Sequence, residues 1–226
     1  MFCSFDQFVI PGGIISVIGS GGKTSFLRYL SETLPGTVLL TASTHIYPFR
    51  GVPLLETNEE TDLETLRAFL RENRRLCFGT PAENGKLTAP AASFSSLSRL
   101  ADHVLVEADG SRCRPLKAHR SFEPVIPEGS ALTVCIAGLS GLGQPVFDAC
   151  HCPELFARLT GTNTDALITP EMIARVLNAE DLADVYFINQ TDLPGGKDAA
   201  RKIADLIHKP VFAGSLKEKK FLYRRL

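Results

Sequence analysis

The stretch VIGSGGKTSFLRYL, residues 17–30, is an apolar strand end, a run of glycines, then lysine, threonine and an amphipathic segment. Residues 14–18 form a short apolar run of the kind a buried strand shows. Over residues 25–34, Phe26, Leu27, Leu30 and Leu34 recur at helical spacing, and Pro35-Gly36 stops the helix. Strand, glycine loop and helix in that order make a phosphate cradle. Glycines let backbone N–H groups converge on an anion without Cβ clashes, and the helix aims its positive end at the same point.

The rest of the chain repeats the alternation. Residues 37–41 read as a second strand. Residues 61–73 read as a helix with Leu63, Leu66, Phe69 and Leu70 on one side. Residues 76–78 and 86–88 flank a turn containing Asn84-Gly85, a small β-hairpin insertion at about residues 75–90. A weaker helix follows at 95–101, then strands at 103–107 (HVLVE) and 132–137. Short helices are expected at 154–159 and 171–177, the second with Pro170 at its entrance. A strand at 185–189, a helix at 198–208 and a strand at 211–213 complete the pattern. This predicts an α/β fold, a P-loop NTPase-like three-layer sandwich with a mainly parallel sheet, in one domain over residues 1–226. Ligands of such sheets bind at the carboxyl ends of the strands, where every motif below falls.

Composition narrows the function classes. A net charge of −1 gives no electrostatic footprint for nucleic acid or an anionic membrane. No apolar run is long enough to span a bilayer, and the first residues lack a secretory signal, so a cytoplasmic location is expected. The six cysteines at 3, 77, 113, 135, 150 and 152 contain no CxxC pair and read as thiols in a reducing compartment. Cys150-His151-Cys152 is a run of soft ligands, but adjacent residues rarely converge on one ion, and the plainer reading is structural.

The loop Gly19-Ser20-Gly21-Gly22-Lys23-Thr24 ends as a P-loop should but is two residues short, G-x-x-G-K-T. Lys23 would reach the β/γ-phosphates, Thr24 would hold Mg²⁺, and Ser25 opens the helix with a second hydroxyl. The short loop resembles that of the Mur-type amino-acid ligases. The alternative is a glycine turn followed by Lys and Thr without a ligand.

A carboxylate near the metal is expected at the end of a neighbouring strand. VLVEADGS, residues 104–111, supplies Glu107 and Asp109, either of which could stand nearer the ion. Glu107-Ala-Asp-Gly110 has the D-x-x-G spacing of GTPases with Glu substituted, and Gly110 could offer its N–H to the γ-phosphate. Thr44 could complete the Mg²⁺ shell, and His45 could orient a water or substrate. The plain alternative for Asp109-Gly110 is a turn.

Asn189-Gln-Thr-Asp192 closes the fifth predicted strand and resembles the N-K-x-D motif of GTPases with Gln190 for Lys. A carboxylate there accepts from guanine N1–H and N2–H₂, which adenine cannot offer. Ala213-Gly-Ser215 resembles the element that backs the guanine. GTP is therefore expected, with ATP as the alternative, and Asn189 and Asp192 as turn residues if neither binds.

Assembled, these residues resemble the YqeC family, accessory proteins of selenium-dependent molybdenum hydroxylases. The resemblance rests on GSGGKTS (19–25), TASTHI (41–46), EADGSR (107–112), RPLKA (114–118), EPVIP (123–127), CIAGLSGLG (135–143), HCPE (151–154), ITPE (168–171) and FINQTD (187–192). Cys150-His-Cys152-Pro-Glu stands where the family runs nearer V-H-R-P-E. The resemblance implies a role in maturing or loading the molybdenum cofactor, or its selenium, with a molybdenum hydroxylase or a cofactor intermediate as partner; the GTPase-like reading rests on the motifs. From the residues themselves, Arg112, Arg114, Lys117 and Arg120, with His151 a further candidate, could bind a second anionic ligand such as a pterin phosphate; the alternative is a solvated basic loop. A small-molecule kinase or ligase, or a non-hydrolysing cofactor carrier, are the rival readings.

Overall fold

The computed structural model describes residues 13–57 and 63–224. The first apolar run forms β1 (Gly13–Gly19), and the glycine loop leads into α1 (Lys23–Thr33). Next come β2 (Val38–Ala42), β3 (His45–Ile46), β4 (Leu54–Glu56), α2 (Leu63–Glu72) and β5 (Arg75–Pro81). β6 (Leu87–Thr88), α3 (Phe94–Leu97), β7 (His103–Glu107), β8 (Leu116–Lys117) and β9 (Ser130–Gly138) follow. The last part holds α4 (Val146–Ala149), β10 (Cys150–His151), α5 (Pro153–Thr160), α6 (Pro170–Glu180) and β11 (Val185–Asn189). It closes with α7 (Gly196–Leu206), β12 (Val211–Ser215) and β13 (Lys220–Arg224).

The main sheet runs β13-β12-β11-β9-β1-β7-β2-β5-β6-β3, with β4 also on β5. From β12 to β5 the strands are parallel; β13, β6 and β3 are antiparallel additions at the two ends. β1 lies between β7 and β9, with Val17 opposite Glu107 and Gly19 opposite Ile136. The glycine loop therefore leaves the sheet beside the carboxylates that end β7.

Alternation along each strand assigns the faces. Ile15, Val17, Leu105, Val134 and Phe187 pack on Phe26, Leu27 and Leu30 of α1. On the opposite face Ile18, Cys135 and Ile188 meet Phe156, Ile173 and Ile203 of α5, α6 and α7. Ile14, Leu76, Val104 and Val106 meet Leu66, Leu70 and Leu97 of α2 and α3. Helices thus cover both faces, as α/β alternation requires. No helix among the described residues is long and apolar enough to cross a membrane.

The departures from expectation are local. The hairpin exists, with Thr80 opposite Thr88 and left-handed Asn84 and Gly85 in its turn, but its first strand, β5, is also a parallel member of the main sheet. α1 starts at Lys23, two residues early, because Gly22 serves as its N-cap. The helix expected at 95–101 is a single turn. β13, with its mixed KFLYR sequence, has no apolar run to announce it. β8 and β10 form a separate two-stranded parallel sheet that was not expected. Cys3 and the start of the helix expected at 61–73 lie outside the described residues.

Phe187 sits between Phe26 and Phe221, with ring centroids 5.2 and 5.9 Å away. Phe187→Ala should lower stability by about 3–5 kcal/mol, read as a fall in urea midpoint at constant m-value. An unchanged midpoint would mean that this face of the sheet is not packed as described.

Candidate functional site

Packing and backbone geometry both dictate the glycine loop. Gly19, Gly21 and Gly22 have φ of 84°, 84° and 138°. A Cβ on Gly21 would lie 2.4 Å from Gly138 Cα, and one on Gly22 would lie 2.4 Å from Asn189 Nδ2. The loop is pinned to the ends of β9 and β11: Ser20 N donates to Ile136 O at 2.8 Å, and Asn189 Nδ2 donates to Gly21 O at 2.8 Å. Asn189 Oδ1 accepts from Leu216 N at 3.2 Å, and the Ser20 hydroxyl donates to Arg114 O. The first turn of α1 has no side-chain cap and no acidic residue, so its positive end is not neutralised from within the helix.

Beneath the loop lies a buried charge network centred on Asp109. Its carboxylate accepts from Gly19 N at 2.9 Å and pairs with Lys23 Nζ at 3.0 Å and Lys117 Nζ at 3.2 Å. His119 donates to it from Nε2 at 2.8 Å and to Glu180 from Nδ1 at 2.7 Å. Lys117 also contacts Glu123 Oε2 at 2.5 Å and donates to Gly110 O at 2.6 Å. Burial alone would raise the Asp109 pKa, but Lys23, then His119 and Lys117, hold it well below the usual carboxylate range. Burial would lower the His119 value, yet its bonds to Asp109 and Glu180 raise it. Glu107 is raised, chiefly by burial, although Lys23 and the Thr24 hydroxyl oppose the shift. Thr24 Oγ1 donates to Glu107 Oε2 at 3.0 Å, and Lys23 Nζ stands 3.9 Å from Glu107 Oε1 while donating to Gly19 O at 2.7 Å.

Above the loop opens a cleft of about 850 Å³. It brings together Gly21, Gly22, Lys23, Thr24, Ser25, His45, Glu107, Gly110, Arg112, Arg114, Asn189, Asp192 and Ser215. The strand ends named from sequence thus converge on one cavity. Asp192 keeps a carboxylate pKa below its ordinary value, first through the Ser215 hydroxyl that bonds it.

Other expected residues stand elsewhere. Of the two carboxylates, Glu107 lines the cleft and Asp109 lies beneath it, fully buried. Gly19 and Ser20 are likewise buried under the loop. Lys117 does not offer its ammonium to a ligand, because Asp109, Glu123 and Gly110 O already hold it. Asn189 has its amide committed to the loop and to Leu216. Thr44 and His151 are not among the cleft-lining residues, and the buried Thr44 hydroxyl has no hydrogen-bond partner among the described residues.

The cleft also contains residues the sequence did not single out. Tyr47, with Lys86 5.1 Å from its ring centroid, comes from β3 and the hairpin, and Lys217 follows β12. Their convergence depends on the β6–β3 pairing, which short polar strands do not advertise. Glu180 was also missed: it lies 61 residues from His119 and has no motif around it.

Fold and site together define an α/β protein whose glycine loop, lysine and strand-end carboxylate meet at the carboxyl edge of a mainly parallel sheet. The chain belongs to the YqeC family: the family model described as YqeC protein matches residues 15–154, from β1 into the start of α5. A relative from Escherichia coli (strain K12), described as uncharacterized protein YqeC, is 36% identical over 164 residues. That alignment covers 69% of this chain and 63% of the relative's length.

Two substitutions test the buried network. Asp109→Asn strands Lys23 and Lys117 beside a neutral amide and should cost about 3–5 kcal/mol at pH 7. The depressed Asp109 contributes fully above its unfolded pKa of about 3.9 and loses that contribution as pH falls through its lower folded value. The gap between wild type and Asp109→Asn in denaturant titrations should therefore narrow below that pH. His119 has the opposite sign. Its raised pKa contributes fully below about 6.5 and is lost as pH rises through the folded value. His119→Gln should thus be more destabilising at pH 5.5 than at pH 8.5. Equal gaps at both would refute a charged His119.

Proposed function

We propose that this protein binds a nucleoside triphosphate with Mg²⁺ and hydrolyses it, preferring GTP to ATP. We further propose that it serves the maturation or cofactor loading of selenium-dependent molybdenum hydroxylases. The observation that carries the reading is the meeting of Lys23, Thr24 and Glu107 in one open cleft at the uncapped positive end of α1. In a P-loop-type fold this is where a triphosphate tail lies. Lys23 would neutralise phosphate charge, and the N–H groups of the loop and the first turn would donate to the phosphate oxygens. His45 lies on the cleft wall, in a position to orient a water.

The donor set suits Mg²⁺. The Thr24 hydroxyl and the Glu107 carboxylate are hard oxygens already 3.0 Å apart, and a buried carboxylate with a raised pKa gains from a cation beside it. When bound, the ion supplies charge neutralisation at the β/γ-phosphates. The base reading rests on Asp192, an ionised carboxylate on the cleft wall supported by Ser215. The molybdenum-hydroxylase role follows from the family resemblance. One observation favours a second reading, phosphoryl transfer of the kinase or ligase type. Arg112 and Arg114 line the same cleft, where they suit an anionic acceptor.

Thermal unfolding with GTP, ATP or CTP and Mg²⁺ tests the proposal. At 100-fold Kd, GTP should raise Tm by about 5–10 °C over the nucleotide-free protein. Lys23→Ala, judged against its own nucleotide-free Tm, should abolish the shift, and Thr24→Val should remove its Mg²⁺ dependence. A larger shift with ATP would remove Asp192 as the base reader. No shift with any nucleotide would overturn the proposal.

A further inference from the structure

We propose that Glu123, His151 and Cys152 form a binding site for a borderline-soft divalent metal ion of the zinc type, separate from the nucleotide cleft. Their donor atoms, a carboxylate oxygen, an imidazole nitrogen and a thiol sulfur, all lie within 4.8 Å of one another. None of the three lines the cleft above the glycine loop.

Two local features bring adjacent residues to one point. β10 is held in register on β8, with His151 opposite Lys117, and Ala118 N donates to His151 O at 3.0 Å. Along a continuing strand, Cys152 would face away from His151. Instead Cys152 takes φ 63°, ψ 60°, a left-handed turn that caps α5 and brings its sulfur within reach of the His151 ring. Cys150 does not compete, because its thiol donates to His151 O at 3.3 Å.

The donors are chemically available. Among the described residues, no hydrogen bond engages the His151 ring or the Cys152 sulfur. His151 is held below the ordinary imidazole value, first by burial and then by Lys117, so it is neutral at pH 7 with a lone pair to give. Glu123 uses Oε2 on Lys117, while Oε1 has only Arg120 N, at 3.5 Å. Burial, with Glu123 and Glu154, holds the Cys152 thiol above its ordinary value against the pull of Arg120 and Lys117, so it is a thiol until a bound ion displaces its proton. Sulfur, nitrogen and oxygen donors together select Zn²⁺ over Mg²⁺ or Ca²⁺, and three protein ligands leave one coordination position open.

Cobalt(II) titration of the chelator-treated full chain, without nucleotide, reads the site directly. One equivalent should give a thiolate-to-cobalt charge-transfer band in the near ultraviolet, removed stoichiometrically by Zn²⁺. Cys152→Ser should abolish the band, and His151→Ala and Glu123→Gln should each weaken binding about tenfold or more. Cys113→Ser, which removes an exposed thiol, should leave the band intact. If Cys152→Ser does not fold, His151→Ala decides, since His151 is only partly buried. The absence of a band, a band that survives Cys152→Ser, one lost in Cys113→Ser, or unchanged affinity in His151→Ala would each overturn the proposal.

Discussion

A carboxylate that is 0% exposed would ordinarily give up its charge, and Asp109 keeps it only because four donors surround it. These donors come from separate parts of the chain: the end of β1, the start of α1, β8, and a position two residues beyond β8. Ionised Asp109 therefore fixes where the glycine loop leaves the sheet, where Lys23 points, and how the segment after β7 folds back. His119 extends the tie to Glu180 at the end of α6. A buried pair is weak evidence for stability when compared with an apolar replacement, but removing one partner is costly. The network is better understood as fixing geometry. Thr24 and Glu107 lie 3.0 Å apart across a loop that Asp109 ties down through Gly19 N and Lys23.

Much of this was legible in the sequence, and the limits have physical causes. HVLVE and VYFIN are runs buried on both faces, and they form strands with the bounds their composition predicts. The glycine loop, the strand-end carboxylate and the Asn189–Asp192 turn also announced themselves, because each motif is contiguous and follows an apolar run. What failed was the assignment of roles within a motif. Glu107 and Asp109 differ by two residues, and side-chain alternation says that both leave the same face of an extended chain. The strand ends at Glu107, so alternation no longer applies at Asp109, which turns under the loop. Nothing local to Lys117 distinguishes an ammonium offered to a ligand from one buried between two carboxylates. That distinction is made by β8 pairing with β10, and two-residue strands have no periodicity to detect.

Asn189 teaches the same lesson in reverse. Its position at a strand end fits base recognition, yet its amide donates to Gly21 O and accepts from Leu216 N. A Cβ at Gly22 would collide with it. The asparagine is therefore a clamp on the loop, while Asp192 stands on the cleft wall, bonded by the Ser215 hydroxyl. The family match ends at residue 154, before either of them, so its span covers the loop, Glu107 and Asp109 but not Asn189 or Asp192.

The number of cations around Asp109 has a mechanical consequence for Lys23. A lysine paired with one buried carboxylate could not turn toward a phosphate without stranding that carboxylate, at a cost of several kcal/mol. Here Lys117 and His119 remain on Asp109 whether or not Lys23 does, and the Gly19 N–H adds a fourth donor. All three of these bond Oδ2, while Oδ1 faces Lys23 alone, so the charge stays paired on one oxygen only, and the lysine is held by contacts of 3.0 and 2.7 Å to Oδ1 and to Gly19 O. The same Lys117 ammonium also grips Glu123, so Asp109 and the Glu123–His151–Cys152 cluster share one cation. A change of charge at either carboxylate alters the pull on the group that serves both. The network beneath the glycine loop and the thiol cluster are thus joined by contacts already present.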